Sequence, residues 1–146
     1  MMNKELFTSN KQNWETPKEL FDKLNSEFNF ELDAAASDEN HKCENYFTEE
    51  QNALEQDWSK YNSIFINPPY DSKLQTDFLK KAYETNKKHG TTIVLLIPSR
   101  TDTARWHEYI FDKADVRFLR GRIKFEVDGV PHKDPAPFPS AIIIYK

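Results

Sequence analysis

Thr92-Ile93-Val94-Leu95-Leu96-Ile97 is the strongest strand signal in this chain of 146 residues: it is rich in β-branched side chains, with Gly90 behind it and Pro98 ahead. Upstream, Ser63-Ile64-Phe65-Ile66 reads as a second buried strand, stopped by Asn67-Pro68-Pro69-Tyr70. Between the two, Leu74, Phe78, Leu79 and Ala82 fall at helical spacing, and that helix closes near Gly90. Downstream, Trp106, Tyr109 and Ile110 mark another helix, capped by Asp102 or Thr103. Strands around 116–119 and 122–127 and a last one at Ala141-Ile142-Ile143-Ile144-Tyr145 complete the set. Strand, helix, strand, helix, strand is the rhythm of a parallel sheet with crossover helices. The late strands lack long connectors, which points to an antiparallel edge strand. The expected fold is α/β and three-layer.

Further from the central strand the reading thins. Residues 1–13 are polar and read as a loose arm. Thr16-Pro17-Lys18-Glu19 has the form of a helix start, with Thr16 as cap, Pro17 at the first helical position and Glu19 closing a capping box. Leu20, Phe21, Leu24 and Phe28 then supply a buried face. Phe30-Glu31-Leu32-Asp33 alternates like a short strand. Residues 38–62 are mostly polar, with Tyr46, Phe47, Leu54 and Trp58 as scattered anchors, and carry no periodicity that assigns them.

Composition bounds the class. With 38% hydrophobic and 30% charged residues, the chain is expected to form one domain, 1–146, with its own core. No apolar run approaches the ~20 residues that cross a bilayer, and Met1-Met2-Asn3-Lys4-Glu5 precedes no hydrophobic stretch. A soluble, cytoplasmic protein is therefore expected. Cys43 is the single cysteine, so neither an internal disulfide nor a cysteine-based zinc site is available, and its expected role is structural. His107 and His132 have no companions at metal-ligand spacing, and no metal is expected.

At a formal net charge of −4 the chain is not a general nucleic-acid binder. Its charges are unevenly placed, however. Acid dominates residues 1–66, whereas the stretch 117–124 holds Arg117, Arg120, Arg122 and Lys124 without a carboxylate. Such a stretch is either a solvated hairpin face or a surface that meets phosphate with salt-dependent affinity.

In sheets of this kind ligands bind outside the carboxyl ends of the strands. Asp33-Ala34-Ala35, Asn67-Pro68-Pro69-Tyr70 and Pro98-Ser99-Arg100 all fall there on this reading. The two prolines of the second segment remove two N–H donors and fix φ twice, leaving a rigid loop rich in acceptors. The Asn67 side-chain oxygen and the Pro68 carbonyl can accept both hydrogens of an NH2 group and so turn its lone pair toward an electrophile. Tyr70 can stack on a planar group beside them. An Asn-capped proline turn with no chemistry is the competing reading.

Asn67-Pro68-Pro69-Tyr70 after an apolar strand resembles the motif of S-adenosylmethionine-dependent amino-group methyltransferases. Further segments recur in order: Trp14-Glu15-Thr16-Pro17, Leu32-Asp33-Ala34-Ala35-Ala36-Ser37, Leu54 to Trp58, Leu96 to Thr103, and Gly121-Arg122-Ile123-Lys124-Phe125. Together they resemble the compact phage-type DNA N6-adenine methyltransferase (Dam-like) family from about residue 14 to the carboxyl terminus.

The resemblance implies a Rossmann-like methyltransferase sheet and methyl transfer from S-adenosylmethionine to adenine N6 in DNA, with the base flipped out of the duplex. It assigns Asn67 and Pro68 to the amino group, Pro69 to the rigidity of the loop, and Tyr70 to one face of the base, with Phe125 as the opposite wall. For the cofactor it points to Thr16 and Pro17, to Asp33 and Ala34, and to Asp57 and Trp58. Arg100, Arg120, Arg122 and Lys124 are the phosphate candidates, with Lys80, Lys81, Lys87 and Lys88 behind them. The sequence departs from larger methyltransferases in having no glycine in the run Asp33-Ala34-Ala35-Ala36-Ser37 and no separate target-recognition domain, so loops 71–76 and 126–140 would read the DNA. Two rivals stand beside this reading: the same chemistry on RNA bases or protein glutamine, and a non-catalytic module that binds DNA or another partner.

Overall fold

A computed structural model describes residues 14–146; the arm expected at 1–13 lies outside the described residues. In chain order the elements are α1 (Lys18–Phe28), β1 (Leu32–Asp33), a 3-10 turn (Ala53–Glu55), β2 (Ser63–Ile66), α2 (Ser72–His89), β3 (Thr92–Pro98), α3 (Ala104–Tyr109), β4 (Asp115–Phe118), β5 (Glu126–Val127), β6 (Val130–Pro131) and β7 (Ser140–Tyr145). The fold is α/β, built on a mixed five-stranded sheet of order β1-β2-β3-β7-β4. A separate two-stranded hairpin, β5-β6, stands beside it.

β1, β2 and β3 are parallel, with Leu32 opposite Ile64 and Phe65 opposite Val94. β7 runs antiparallel to both β3 and β4. The reversed strand expected at an edge is thus in the interior, and the edge strand β4 points the same way as β1–β3. Sequence order gave no warning of this, because the last strand inserts between two earlier ones. Another correction concerns 122–127: only Glu126–Val127 is strand, paired with Val130–Pro131 across a tight turn. Asp128 and Gly129 both have positive φ, 53° and 81°, as a two-residue hairpin loop of this hand requires.

Alternation along the strands divides the core in two. Ile64, Ile66, Ile93, Leu95, Ile97, Ile143 and Tyr145 face a cluster with Phe78, Leu79 and Ala82 of α2 and Trp106 of α3. Phe65, Val94, Leu96, Ile142 and Ile144 face the other way, onto Phe21 and Leu24 of α1 and onto Phe125 and Phe138. α2 begins at Asp71, whose carboxylate accepts from the Leu74 amide at 2.9 Å, and ends at Gly90 with φ 76°. A left-handed residue at that position favours glycine.

Two helix starts differ from expectation. The residue preceding α1 is Pro17, and no side chain of the 16–19 segment caps the helix. Its Lys18 amide instead donates to Glu126 Oε2 at 3.0 Å, a partner 108 positions away. Thr16 is committed elsewhere, as the site shows. At α3, Thr103 holds the cap position, yet its hydroxyl donates to the Arg100 carbonyl at 2.7 Å rather than accepting from the helix.

Among the described residues no helix is long and apolar enough to cross a membrane.

Candidate active site at the carboxyl edge of the sheet

The topology delivers many chemically informative segments to one edge. β1, β2 and β3 are parallel, so Asp33, Asn67-Pro68-Pro69-Tyr70 and Ser99-Arg100 all lie at their carboxyl ends. β7 runs the opposite way and starts with Ser140 opposite Pro98, which brings the preceding Phe138 to the same edge. β4 ends there too, so the basic run after Phe118 and then Phe125 leave from this side. α1 starts here and runs back, placing Trp14 to Pro17 against the others.

Asn67 is held from one end. Its Nδ2 donates to the Trp14 carbonyl at 2.9 Å and to Thr16 Oγ1 at 3.1 Å. Both amide hydrogens are thereby used, and the orientation of the side chain is set. Oδ1 is left on the far side, approached at 3.3 Å by the Tyr70 hydroxyl. Burial pushes the Tyr70 phenol well above its ordinary range, so it stays a neutral donor. Thr16 is itself buried and spends its oxygen on Asn67, which is why it does not cap α1.

Around Oδ1 stands a cluster of aromatic rings. Trp14 meets Tyr70 edge-on with centroids 5.4 Å apart and lies nearly parallel to Phe138 at 5.7 Å. Phe125 contacts Trp14 at 5.1 Å and Tyr70 at 5.8 Å, both edge-on. The expected wall residue, Phe125, is therefore brought beside Tyr70, but only 1% of its surface is exposed and the two rings are not parallel. Phe125 is the floor of the cluster in this arrangement. Trp14 and Phe138 stand beside the motif instead. Trp14 opened a segment singled out in the sequence without being assigned a role, and Phe138 sat in a proline-rich loop with no periodicity to mark it.

Asp33 terminates β1 and is buried, with Oδ2 accepting from the Lys42 amide at 2.9 Å and Oδ1 from the Ala35 amide at 3.4 Å. No cationic side chain pairs with it among the described residues. Desolvation raises its carboxyl to about 6, against the pull of those two backbone amides. Ala34 beside it is buried and its amide donates to the Phe65 carbonyl at 3.1 Å, which ties the loop to β2.

Asp57 and Trp58 are not brought to this edge. They precede β2, whereas Asn67 follows it, with roughly 10 Å of strand between. Asp57 is exposed and turns its carboxylate onto Ser59, accepting from its amide at 2.9 Å and its hydroxyl at 2.6 Å. Trp58 is buried, with Nε1 donating to the Ala53 carbonyl at 2.9 Å. Both have local structural partners. A shallow cavity of about 240 Å3 beside them is lined by Lys81, Glu84, Lys88 and His89 of α2.

The cations sort in the same way. Arg117 is taken by Glu27 in a bidentate pair at 2.8 and 2.6 Å. Lys81 donates to the Leu54 and Gln56 carbonyls at 3.0 and 2.6 Å. Arg120, Arg122 and Lys124 are exposed and form no ion pair among the described residues. Arg100 is also exposed, its guanidinium 5.7 Å from the Phe138 ring at the mouth of the aromatic cluster. Cys43 is half-buried, and desolvation pushes its thiol up to about 12, far from a reactive thiolate. No group of three His, Cys, Asp or Glu side chains that could hold a metal gathers among the described residues.

A mixed α/β sheet carrying Asn-Pro-Pro-Tyr at the carboxyl end of its second strand defines the class of site, and comparison with known proteins gives the family. The profile of the DNA N-6-adenine-methyltransferase (Dam) family matches residues 3–146. The chain belongs to that family. It is 33% identical over 117 residues to a DNA N-6-adenine-methyltransferase of Escherichia phage T1, covering 80% of this chain and 48% of that protein. It is 37% identical over 92 residues to a DNA N-6-adenine-methyltransferase of Haemophilus phage HP1, covering 61% of this chain and 51% of that one. The matched regions thus amount to about half the length of each relative.

Proposed function

We propose that this chain transfers a methyl group from S-adenosylmethionine to the N6 amino group of adenine in DNA, acting in the cytoplasm of the cell that holds that DNA. The observation that carries the reading is the one-sided tethering of Asn67: both Nδ2 hydrogens are bound to the Trp14–Thr16 segment, which leaves Oδ1, with the Tyr70 hydroxyl on one of its two lone pairs, as the accepting end of the amide. With the Pro68 carbonyl it forms a pair of acceptors on a loop that two prolines hold rigid. Such a pair takes both hydrogens of an exocyclic amine and directs its lone pair. Family membership and the names of the two phage relatives supply the substrate class.

The residues present fit the cofactor. Asp33 is a buried carboxylate at a strand end without a cationic partner among the described residues, the complement of an ammonium group. Ala34, small and buried, leaves room for close approach, and Thr16-Pro17 flank the same edge. When bound, the cofactor supplies an electrophilic methyl on a sulfonium. Every other contribution comes from the chain. Asn67 and Pro68 hold the acceptor nitrogen, Tyr70 and the neighbouring rings stack on the base, and the apolar cluster keeps water from the reacting atoms. Rate enhancement then comes from alignment and fixed dipoles rather than from a covalent intermediate. Arg100, Arg120, Arg122 and Lys124 hold the phosphates flanking the base. Asp57 and Trp58 have no part in this scheme.

We read the sheet as a three-layer, Rossmann-like methyltransferase sheet and 1–146 as one such domain. The support is the parallel β1–β3, the single reversed strand β7, and helices against both faces.

Tritium transfer from labelled S-adenosylmethionine to unmethylated duplex DNA, followed by nucleoside analysis, tests the proposal. Label in N6-methyladenine is the expected result. Cofactor binding without label in DNA would move the substrate to RNA or protein, and neither binding nor label would leave a non-catalytic binding module.

A further inference from the structure

If Asn67 is the acceptor, the direction of its Oδ1 decides the rate, and that direction is set by two atoms of the 14–16 segment. The residue between them faces elsewhere. In an extended segment successive side chains point to opposite sides, and while Thr16 meets Asn67, Glu15 turns to the β5-β6 hairpin. Its Oε2 accepts from the Asp128 amide at 3.1 Å and its Oε1 from the Gly129 amide at 3.2 Å. Its backbone exchanges a further pair of bonds with Glu126, at 3.1 and 2.9 Å. We infer that Glu15 is a positioning residue for methyl transfer, which makes the aim of Asn67 conditional on the β5-β6 turn; the inference rests on the proposed activity.

Burial argues that this contact is more than a turn stabiliser. Glu15 is 7% exposed and pairs with no cation among the described residues. Burying a carboxylate is costly, and an Asp-Gly turn of this hand forms readily without one. The Asp128 and Gly129 amides offset that cost, and the result is a tether that a turn alone does not supply. Glu126 makes the reciprocal bond, its carboxylate accepting from the Lys18 amide at the start of α1. Each acid thus satisfies backbone donors on the other's segment, and Trp14 to Lys18 becomes a strap between the hairpin and Asn67. The hairpin follows Arg120, Arg122 and Lys124, which form no ion pair among the described residues, and exposes Val130 at its tip, so it lies where DNA is expected. Contact there is transmitted through Glu15 to the acceptor.

Single-turnover tritium transfer at saturating S-adenosylmethionine, with Glu15→Ala, Glu15→Gln, Asn67→Ala and the Glu15→Ala/Asn67→Ala double variant, tests this. Glu15→Ala should lower the transfer rate about a hundredfold, the scale of a small misalignment of reacting groups, and should also lower the melting temperature, because two amides lose their partner; the double variant separates the two effects. Glu15→Gln should recover part of the rate, because its amide oxygen still accepts one of the two N–H groups. In the Asn67→Ala background, Glu15→Ala should cost no more than about twofold, since residues acting through one another are not additive. Losses that simply multiply, or an unchanged rate in Glu15→Ala, overturn the inference. If Glu15→Ala does not fold, Glu15→Gln with and without Asn67→Ala gives the same comparison. Adenine methylation by the unaltered chain with an indifferent Glu15 refutes this inference alone; its absence refutes the proposed function as well.

Discussion

Removing Arg120 and Arg122 together, as Arg120→Ala plus Arg122→Ala, should change the salt dependence of DNA binding, while Arg117→Ala should not. The distinction comes from the structure, because the sequence presents all three as one basic run. Arg117 is closed into a bidentate pair with Glu27, which holds that carboxylate below its ordinary range. Its charge is spent inside the protein. Arg120 and Arg122 are exposed and pair with no carboxylate among the described residues. Each phosphate contact contributes roughly 0.9 to the slope of log affinity against log salt, so losing two should flatten it by about 1.8. Across a fourfold rise in salt, affinity of the unaltered protein should therefore fall about twelvefold more than that of the double variant. Fluorescence anisotropy with a labelled duplex, titrated at several salt concentrations, reads the slope directly. Equal slopes for the unaltered protein and the double variant, or a flattened slope for Arg117→Ala, would show that DNA lies on another face.

Three further outcomes follow from particular contacts. Asn67→Ala should leave cofactor binding by calorimetry nearly intact and reduce methyl transfer by about two orders of magnitude or more; equal loss of both would put Asn67 in the cofactor site. Trp58→Phe removes the donor to the buried Ala53 carbonyl and should cost about 1–3 kcal/mol in urea unfolding, with a change under about 0.5 kcal/mol counting against that bond. Burial raises the Asp33 carboxyl from 3.8 to about 6, so the folded state binds its proton more tightly than the unfolded chain. The resulting penalty, on the order of 3 kcal/mol, is fully present above about pH 6 and is relieved as pH falls toward 3.8. Without cofactor, the stability difference between the unaltered chain and Asp33→Asn should therefore shift over that window, and a pH-independent difference would refute the assignment.

The central strands were legible because burial on both sides writes itself as continuous apolar residues: Ser63–Ile66 is a strand as read, and the strand read over Thr92 to Ile97 runs one residue further, through Pro98. The long helix after Asn67-Pro68-Pro69-Tyr70 was legible from periodicity and its closing Gly90. What escaped reading was long-range. Thr16 has the chemistry of a cap, but a distant glutamate serves α1 and leaves the hydroxyl to Asn67. Residues 38–62 are held mainly by loop bonds, such as the Phe47 amide to the Asp33 carbonyl at 3.0 Å, which leave no periodic trace. Within the candidate site, Asn67 to Tyr70 and Asp33 were singled out because ligands bind at the carboxyl ends of strands, and the fold does bring both segments to one edge. Asp57 and Trp58 were placed by resemblance alone, and the fold puts them at the other end of β2. The aromatic cluster could not be foreseen, since Trp14 and Phe138 meet only through the insertion of β7.

That insertion also governs the order in which the chain can acquire its structure. β7 is the last element in sequence, yet it supplies the neighbour for both β3 and β4. As the polypeptide emerges from the ribosome, β3 and β4 remain open edges, each displaying unmatched amides and carbonyls to any passing strand. Ile93 must wait for Tyr145, and Pro98 for Ser140. Closure thus waits until β7 itself has been made and depends on distant pairings, which fold slowly. The same strand that completes the hydrophobic interior draws Phe138 into place, so a nascent chain that has not yet reached β7 lacks the aromatic surroundings of Asn67 to Tyr70.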